Sequence, residues 1–271
     1  MPQFHDPDHE AAYILGLPVQ GAYTRPGTPQ MMGGAHEAAS QFDRTLATWA
    51  PPIQSADADI LPDKPMMDAR AIDITRNDAF ALAGVNLHRD NIVGSQFMLN
   101  SKPKIKVLGL DETWATEFSE EVEAKFSLWA ESFNNWPDAA RKNTLTSMVR
   151  LAVGVYLTSG EVLATAEWSR DTDRPYKTAI QMIALDRLCN PLDQTFDMER
   201  TRGGVRMNAS GAPIGYYIRN ASRGGMWDWG KSNSWSYIRA RNGFGRPQVI
   251  HILEQERPSQ TRGVSQLVAA L

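Results

Sequence analysis

The sequence has little cysteine, no long apolar run and no dominant charge sign, and each shortage closes off a class of protein. One cysteine, Cys189, in 271 residues excludes an internal disulfide framework. The longest apolar stretch, Leu151 to Leu157, is seven residues, far below the roughly 18 to 20 that a membrane-spanning helix needs. The opening residues show no basic-then-apolar leader pattern, so the chain is expected to fold in a reducing cytoplasm and to have no membrane partner. Lys and Arg number 28 against 31 Asp and Glu, a net charge of -3, which excludes a polybasic nucleic-acid binder or an acidic tail protein as a description of the whole chain. No nucleophile elbow or paired-carboxylate motif stands in the sequence. Against these shortages, 42% apolar and 9% aromatic residues are enough to build a sizeable core, in one large domain or two ordinary ones, and exclude wholesale disorder.

What is present is unevenly spread. Residues 1–150 hold 13 Lys/Arg and 20 Asp/Glu, a net of −7, whereas residues 151–271 hold 15 and 11, a net of +4. Within the second part, residues 200–246 carry nine bases, Arg200, Arg202, Arg206, Arg219, Arg223, Lys231, Arg239, Arg241 and Arg246, against one acid, Asp228. Trp227, Trp229, Trp235, Tyr237 and Phe244 are interleaved with them. This is where an anionic partner is expected.

Residues 1–48, rich in Gly, Pro, His, Gln and Met without a sustained period, read as an extended or disordered arm. Over 49–160 the period is near 3.6 and the region is expected to be mainly helical. One helix is expected across 66–89, turning Ile72, Ala79, Leu82 and Ala83 inward. A second, across 111–133, has Asp111 as N-cap and a stripe of Trp114, Phe118, Val122, Phe126, Trp129 and Phe133 that suits core or subunit interface. A third, across 138–158, lines up Leu145, Met148, Val149, Ala152 and Val155 and stops at Gly160. Beyond Gly160 the period falls to 2 over a basic, β-rich region, 161–262. Strands are expected at Glu161–Trp168, Thr178–Leu185, Val205–Met207, Ile214–Ile218 and Gln248–Leu253, with a hairpin turn at Asn208–Gly211. Asn233–Gly243 reads as a weak helix former, and residues 263–271 as the start of a helix cut short of its natural fold. The fold class expected is α+β.

Few segments carry a chemical motif. Gly225-Met-Trp-Asp-Trp-Gly230-Lys231-Ser232 fits the phosphate-cradling pattern G-x-x-x-x-G-K-[ST] at every fixed position. A working P-loop needs a buried strand entering and a good helix leaving, so that backbone N–H groups converge on phosphate. The polar stretch before this octet and the weak helix former after it argue for a basic, aromatic surface loop instead. His5-Asp-Pro-Asp-His9-Glu10 has the composition of a metal site, but its proline denies it the helix that would align both imidazoles. Asp57 and Asp59 lack the glycine and distal glutamate of a calcium loop and read as turn or cap residues. His251, in an apolar strand, reads as a satisfied structural histidine, and Cys189 as a small buried residue.

Several segments, in order, resemble the lambda family of phage portal proteins. They are Trp49 with Ser55-Ala-Asp-Ala-Asp-Ile60, Ala69-Arg70 with Asp73 and Arg76-Asn77, Asn91-Ile-Val-Gly94 and Gly160-Glu161, then Gly211 with Tyr216-Tyr217, Val249-Ile-His251, and Glu256 through Val264. The likeness spans residues 49–264 and corresponds to the N-terminal part of the family's longer sequence. Arg206 and Asn208 stand where the family tends to have acids, and Ser265-Gln266 where it has Pro and Trp. The resemblance implies a structural protein of the virion, assembled in host cytoplasm. It implies a ring at one capsid vertex through which double-stranded DNA is packaged and ejected, and which docks terminase, capsid and neck proteins. By the same resemblance, 49–160 is wing-like and 161–262 has stem- or clip-like elements, with no catalytic centre, cofactor or metal. A nucleotide-hydrolysing enzyme built on Gly225–Ser232 is the competing reading.

Overall fold

Ser55 opens the first helix because its hydroxyl accepts the N–H of Ala58 at 3.3 Å. The computed structural model describes residues 48–192, 200–222, 230–231 and 233–270. The chain divides into two units, Met1–Ile53 and Gln54–Leu271, and every element below belongs to the second. The arm expected over 1–48 (but for residue 48), the His5–Glu10 cluster, Arg223 and the Gly225–Ser232 octet except Gly230 and Lys231 lie outside the described residues.

Helix α1, Ala56–Asn77, runs straight through Pro62 and Pro65. Each interior proline removes one ladder hydrogen bond and costs about 3 kcal/mol, which is why the sequence pattern places the helix start ten residues too late. Burial of Asp57, Lys64 and Ala71 against the rest of the fold holds the helix in place of propensity. It ends at Asp78, whose backbone is extended (φ -112, ψ 125) and whose carboxylate caps α2, Ala79–Val93, by accepting from Ala81 N–H at 2.8 Å. The helix expected over 66–89 is therefore two. Ala71 and Val85 are buried while Ile72 and Leu82, expected inside, are exposed.

After the short α3, Ile105–Leu108, Asp111 caps α4, Glu112–Ala130, as the sequence reading has it, accepting from Trp114 N–H at 2.7 Å. Phe133 lies beyond the end of α4 and is fully exposed. Helix α5, Leu145–Ser159, starts seven residues later than expected because the buried Asp138 carboxylate gathers the N–H groups of Ala140, Lys142 and Asn143 into a loop instead. Gly160 closes α5 in the left-handed region, φ 73.

Strands follow at once: β1 Glu161–Trp168, β2 Thr178–Ile183, β3 Thr201–Arg202, β4 Val205–Met207, β5 Pro213–Arg219, β6 Trp235–Arg239 and β7 Val249–Leu253. They form two antiparallel sheets, ordered β2-β1-β7 and β3-β4-β5-β6. The β4–β5 turn is the expected one: Asn208 Oδ1 accepts from Ser210 and Ala212 N–H, both at 2.9 Å, and Gly211 sits at φ 80. Strand β6 occupies part of the stretch read as a weak helix, and residues 268–270 form one 3-10 turn.

Leu163, Ile183, Leu185, Leu188, Val205, Met207, Tyr216, Ile218 and Val249 make one core shared by the two sheets. Helix α5 packs on α1, α2 and β1, joining the helices to it. Helices first, antiparallel sheets after: the fold is α+β. Among the described residues no helix is long and apolar enough to cross a membrane.

Candidate interaction surfaces

The two sheets and α1 are tied together by a buried ionic knot centred on Glu161, the first residue of β1. Its side chain is fully buried. One carboxylate oxygen accepts from Arg262 Nε at 2.8 Å and lies 3.2 Å from Lys64 Nζ; the other accepts from Gly263 N–H at 2.9 Å and lies 3.0 Å from His251 Nε2. Arg262 also donates to the carbonyls of Leu188 (2.6 Å), Gly203 (2.8 Å) and Leu185 (3.3 Å). Lys64 donates to Ser159 O at 2.9 Å and pairs with Asp68 at 3.0 Å. Two cations thus meet two carboxylates, with their remaining donors on backbone carbonyls, as buried charge requires. Burial alone would raise the Glu161 pKa, but the charges of Arg262 and Lys64 and the bonds from His251 and Arg262 hold it well below the usual carboxylate range. Burial wins at Asp68, whose pKa is raised despite Lys64.

Asp57 and Asp59 are not cap residues. Asp57 is buried, accepts from Thr261 N–H at 2.8 Å and hydroxyl at 2.9 Å, and pairs with Arg202 at 3.4 Å; Asp59 pairs with Arg257. His251 is the satisfied structural histidine expected, edge-on to Tyr216 at 5.6 Å between ring centroids, and burial pushes the Tyr216 phenol up to about 12. Cys189 is only half-buried and accepts from Trp235 Nε1 at 3.3 Å.

Gly160 makes the knot possible. A Cβ there would sit 1.9 Å from Val264 O, at a backbone φ of +73, and one on Gly263 would sit 2.1 Å from Gly160 O. We expect Gly160→Ala to cost at least about 2 kcal/mol, summing a left-handed penalty of about 1–2 with about 1–3 for the forced shift. Chemical denaturation of the variant checks this.

The second sheet has one face in the core and an outer face that is open only along β6, since Thr201, Gly215, Tyr217 and Arg219 on it are buried. Val205, Tyr216 and Ile218 point into the core. On the other face, register puts Arg206, Gly215 and Arg239 in one row across β4, β5 and β6, with Tyr217 opposite Tyr237 and Arg219 opposite Trp235. Gly215 matters because the Tyr237 hydroxyl occupies the place of its missing side chain, 2.2 Å from where a Cβ would be. Arg239 and Tyr237 are exposed and Arg206 half-buried. Arg219 is not at the surface: it is 4% exposed, with its guanidinium 5.0 Å over the Trp235 ring. Arg202 turns toward Asp57. Arg200 is exposed before β3, and Lys231 is exposed as well.

After β6, Arg241 to Arg246 form a tight exposed loop. Asn242 Oδ1 accepts from Phe244 and Arg246 N–H, both at 3.0 Å, and Arg241 donates to Gly245 O at 3.0 Å. Phe244 stands out at the tip.

The aromatic stripe of α4 divides. Val122, Phe126 and Trp129 are half-buried, whereas Trp114 and Phe118 stack on each other at 4.8 Å on the outer side. Trp114, Glu117, Phe118, Glu121, Lys125 and Leu128, all exposed, form one outward strip at helical spacing, within which Glu121 is paired with Lys125. Glu123, on the inner side, accepts from Ser101 N–H at 2.7 Å.

The knot escapes sequence reasoning from motifs, because its members are scattered from Lys64 to Gly263. The segments on which the family likeness rests contain four of them, Glu161, His251, Arg262 and Gly263, in Gly160-Glu161, Val249–His251 and Glu256–Val264. Residues 42–271 match the family described as phage portal protein, lambda family. The chain is 38% identical over 232 residues to the portal protein of Escherichia phage N15 and 37% identical over the same length to portal protein B of Escherichia phage lambda. Each alignment takes in 86% of this chain and 43% of the relative, so the chain spans less than half the length of the curated relatives it matches. With the family match running over most of its length and onto the residues of its buried knot, this chain belongs to the lambda family of phage portal proteins.

Proposed function

We propose that the chain is a structural component of the portal ring at a phage capsid vertex, the conduit through which double-stranded DNA enters and leaves the head. In this reading it works in the virion after assembly in host cytoplasm, with terminase, capsid and neck proteins as its partners. The wing-like part is the helical region and the stem- or clip-like elements belong to the β-rich region. One observation carries the reading beyond family membership. The main core cluster lies in the β-rich part, while Phe80, Leu87, Ile92, Met98, Val107 and Leu128 are each more than half exposed in the helical region. Monomeric proteins rarely leave so much apolar surface open; a ring covers it with the next copy. In that ring the loop Arg241–Arg246, with Arg200 and Lys231, meets the DNA backbone.

The nucleotide-enzyme reading finds no support. The residues after the octet lead into strand β6, paired with β5, where a phosphate site needs a helix N-terminus. Negative-stain microscopy of the purified chain tests the ring: annular particles with a central hole are expected, and dispersed monomers at about the tens-of-micromolar range, where apolar faces of this size associate, would overturn it.

A further inference from the structure

We propose that the outward strip of α4 on one copy docks on the exposed part of the outer face of the β3-β4-β5-β6 sheet, around Tyr237 and Arg239, of the adjacent copy. The proposal rests on the ring reading and names two surfaces that meet in it. The first turns of the strip carry Trp114, Glu117, Phe118 and Glu121, of which Glu121 is already paired with Lys125 and Glu117 is the acid offered outward, while the sheet face carries the exposed Tyr237 and Arg239 beside the half-buried Arg206.

The two surfaces are complementary in charge and alike in aromatic content, which is the composition of a specific interface with an apolar centre and a charged register. Glu117 lies in the same turn as the stacked Trp114 and Phe118, and Arg239 lies two residues along β6 from Tyr237, so each surface sets its charge beside an aromatic ring. Tyr237 lies over Gly215 and fills the row between the two arginines with an exposed ring on which one from the helix would stack.

The contact is also of the right symmetry. Helix strip and sheet face are different surfaces, so each copy offers one to its neighbour on one side and the other to its neighbour on the opposite side. Such a head-to-tail contact closes into a ring and does not stop at a dimer. It takes the sheet arginines for the neighbour and leaves Arg241 and Arg246, on their separate loop, for DNA.

Charge reversal on the full chain tests the pairing, read by sedimentation velocity with thermal melting as the control for folding. Glu117→Arg and Arg239→Glu should each weaken assembly at least about tenfold, the scale of a close interfacial charge pair. The two changes in one chain, or an equal mixture of the two single variants, should restore it, because either arrangement puts opposite charges face to face again. Single variants that assemble like the wild type overturn the docking and leave the ring intact. Weakening without recovery in the combined chain means that the residues act separately, and also overturns it. A wild-type chain that stays monomeric overturns both readings. Arg239→Glu that assembles normally but loses affinity for duplex DNA reassigns the sheet face to nucleic acid.

Discussion

Replacing Glu161 with Gln is expected to cost about 3–5 kcal/mol, the penalty for leaving buried charges without their counter-ion. For a chain of this size that is a fall in melting temperature of roughly 6–20 °C. Glutamine keeps the shape and part of the hydrogen bonding, so the loss reports charge and not a cavity. Arg262 and Lys64 would remain, only a few per cent exposed, with Asp68 as their one carboxylate partner in the knot. The knot holds α1, β1, β7 and the chain after β7 at a single point, so the loss should appear as one cooperative shift. A double-mutant cycle with Lys64→Met should give a coupling above about 1 kcal/mol, since the two groups are in direct contact. A loss under about 1 kcal/mol for Glu161→Gln, within the range of ordinary substitutions, would mean that the cations are solvated and that the knot holds little.

The same residue sets the acid limb of stability. Glu161 is held deprotonated in the folded state well below the 4.5 it has when exposed. Its contribution is therefore complete above about pH 4.5 and is lost progressively as the pH falls below that, because the unfolded chain then binds a proton that the folded chain refuses. Asp68 acts the other way. Its folded pKa is raised above 3.8, so what it contributes is present below that pH and is lost as the pH rises through the folded value. Glu161 is bound by two buried cations and a backbone N–H where Asp68 has one lysine, so Glu161 sets the net direction, which is weakening in acid. Urea midpoints between about pH 3 and 6, which brackets the ordinary carboxylate range, should fall with acidification in the wild type and flatten in Glu161→Gln.

Local elements were readable where one residue forces the backbone. Gly160 ends α5 and the period changes at the next residue, so β1 is bounded correctly at Glu161 and Trp168. Asn208 and Gly211 specify their own turn. What failed depends on distant partners. Helix α1 survives two prolines because Lys64 and Asp57 are bound to residues 161 and 261. Strand β6 exists because β5 offers it a ladder. The aromatic stripe of α4 is real, but periodicity does not reveal which of its edges the rest of the chain covers. Charge density pointed to residues 200–246, yet counting charges does not separate Arg219, stacked on Trp235, from Arg239, four residues along β6 from that tryptophan and open to solvent.

Loss of Arg241 and Arg246 together is expected to flatten the salt dependence of duplex DNA binding by about 1.8 in log–log slope, at roughly 0.9 per phosphate contact. The two guanidinium-bearing side chains flank Phe244 on a loop whose backbone is fixed by Asn242, so they reach solvent at little further entropic cost. Nothing in the loop is arranged to read bases: no bidentate pair is set on a helix or ribbon of groove width, and contact with backbone phosphate is sequence-independent. Binding should therefore be equal for duplexes of different sequence and weaken steeply with salt. Between 50 and 200 mM salt, a fourfold change, a slope difference of about 1.8 amounts to roughly a tenfold difference in affinity between wild type and variant. Titration of the assembled chain with a random-sequence duplex at several salt concentrations measures it, and sedimentation of the same samples shows whether the particles persist. An unchanged slope with dispersed particles would move the loop to the contact between copies. An unchanged slope with intact particles would put the DNA-facing surface elsewhere. A slope that flattens while the particles persist assigns the loop to the DNA backbone, since the charges lost are then charges that phosphate had met.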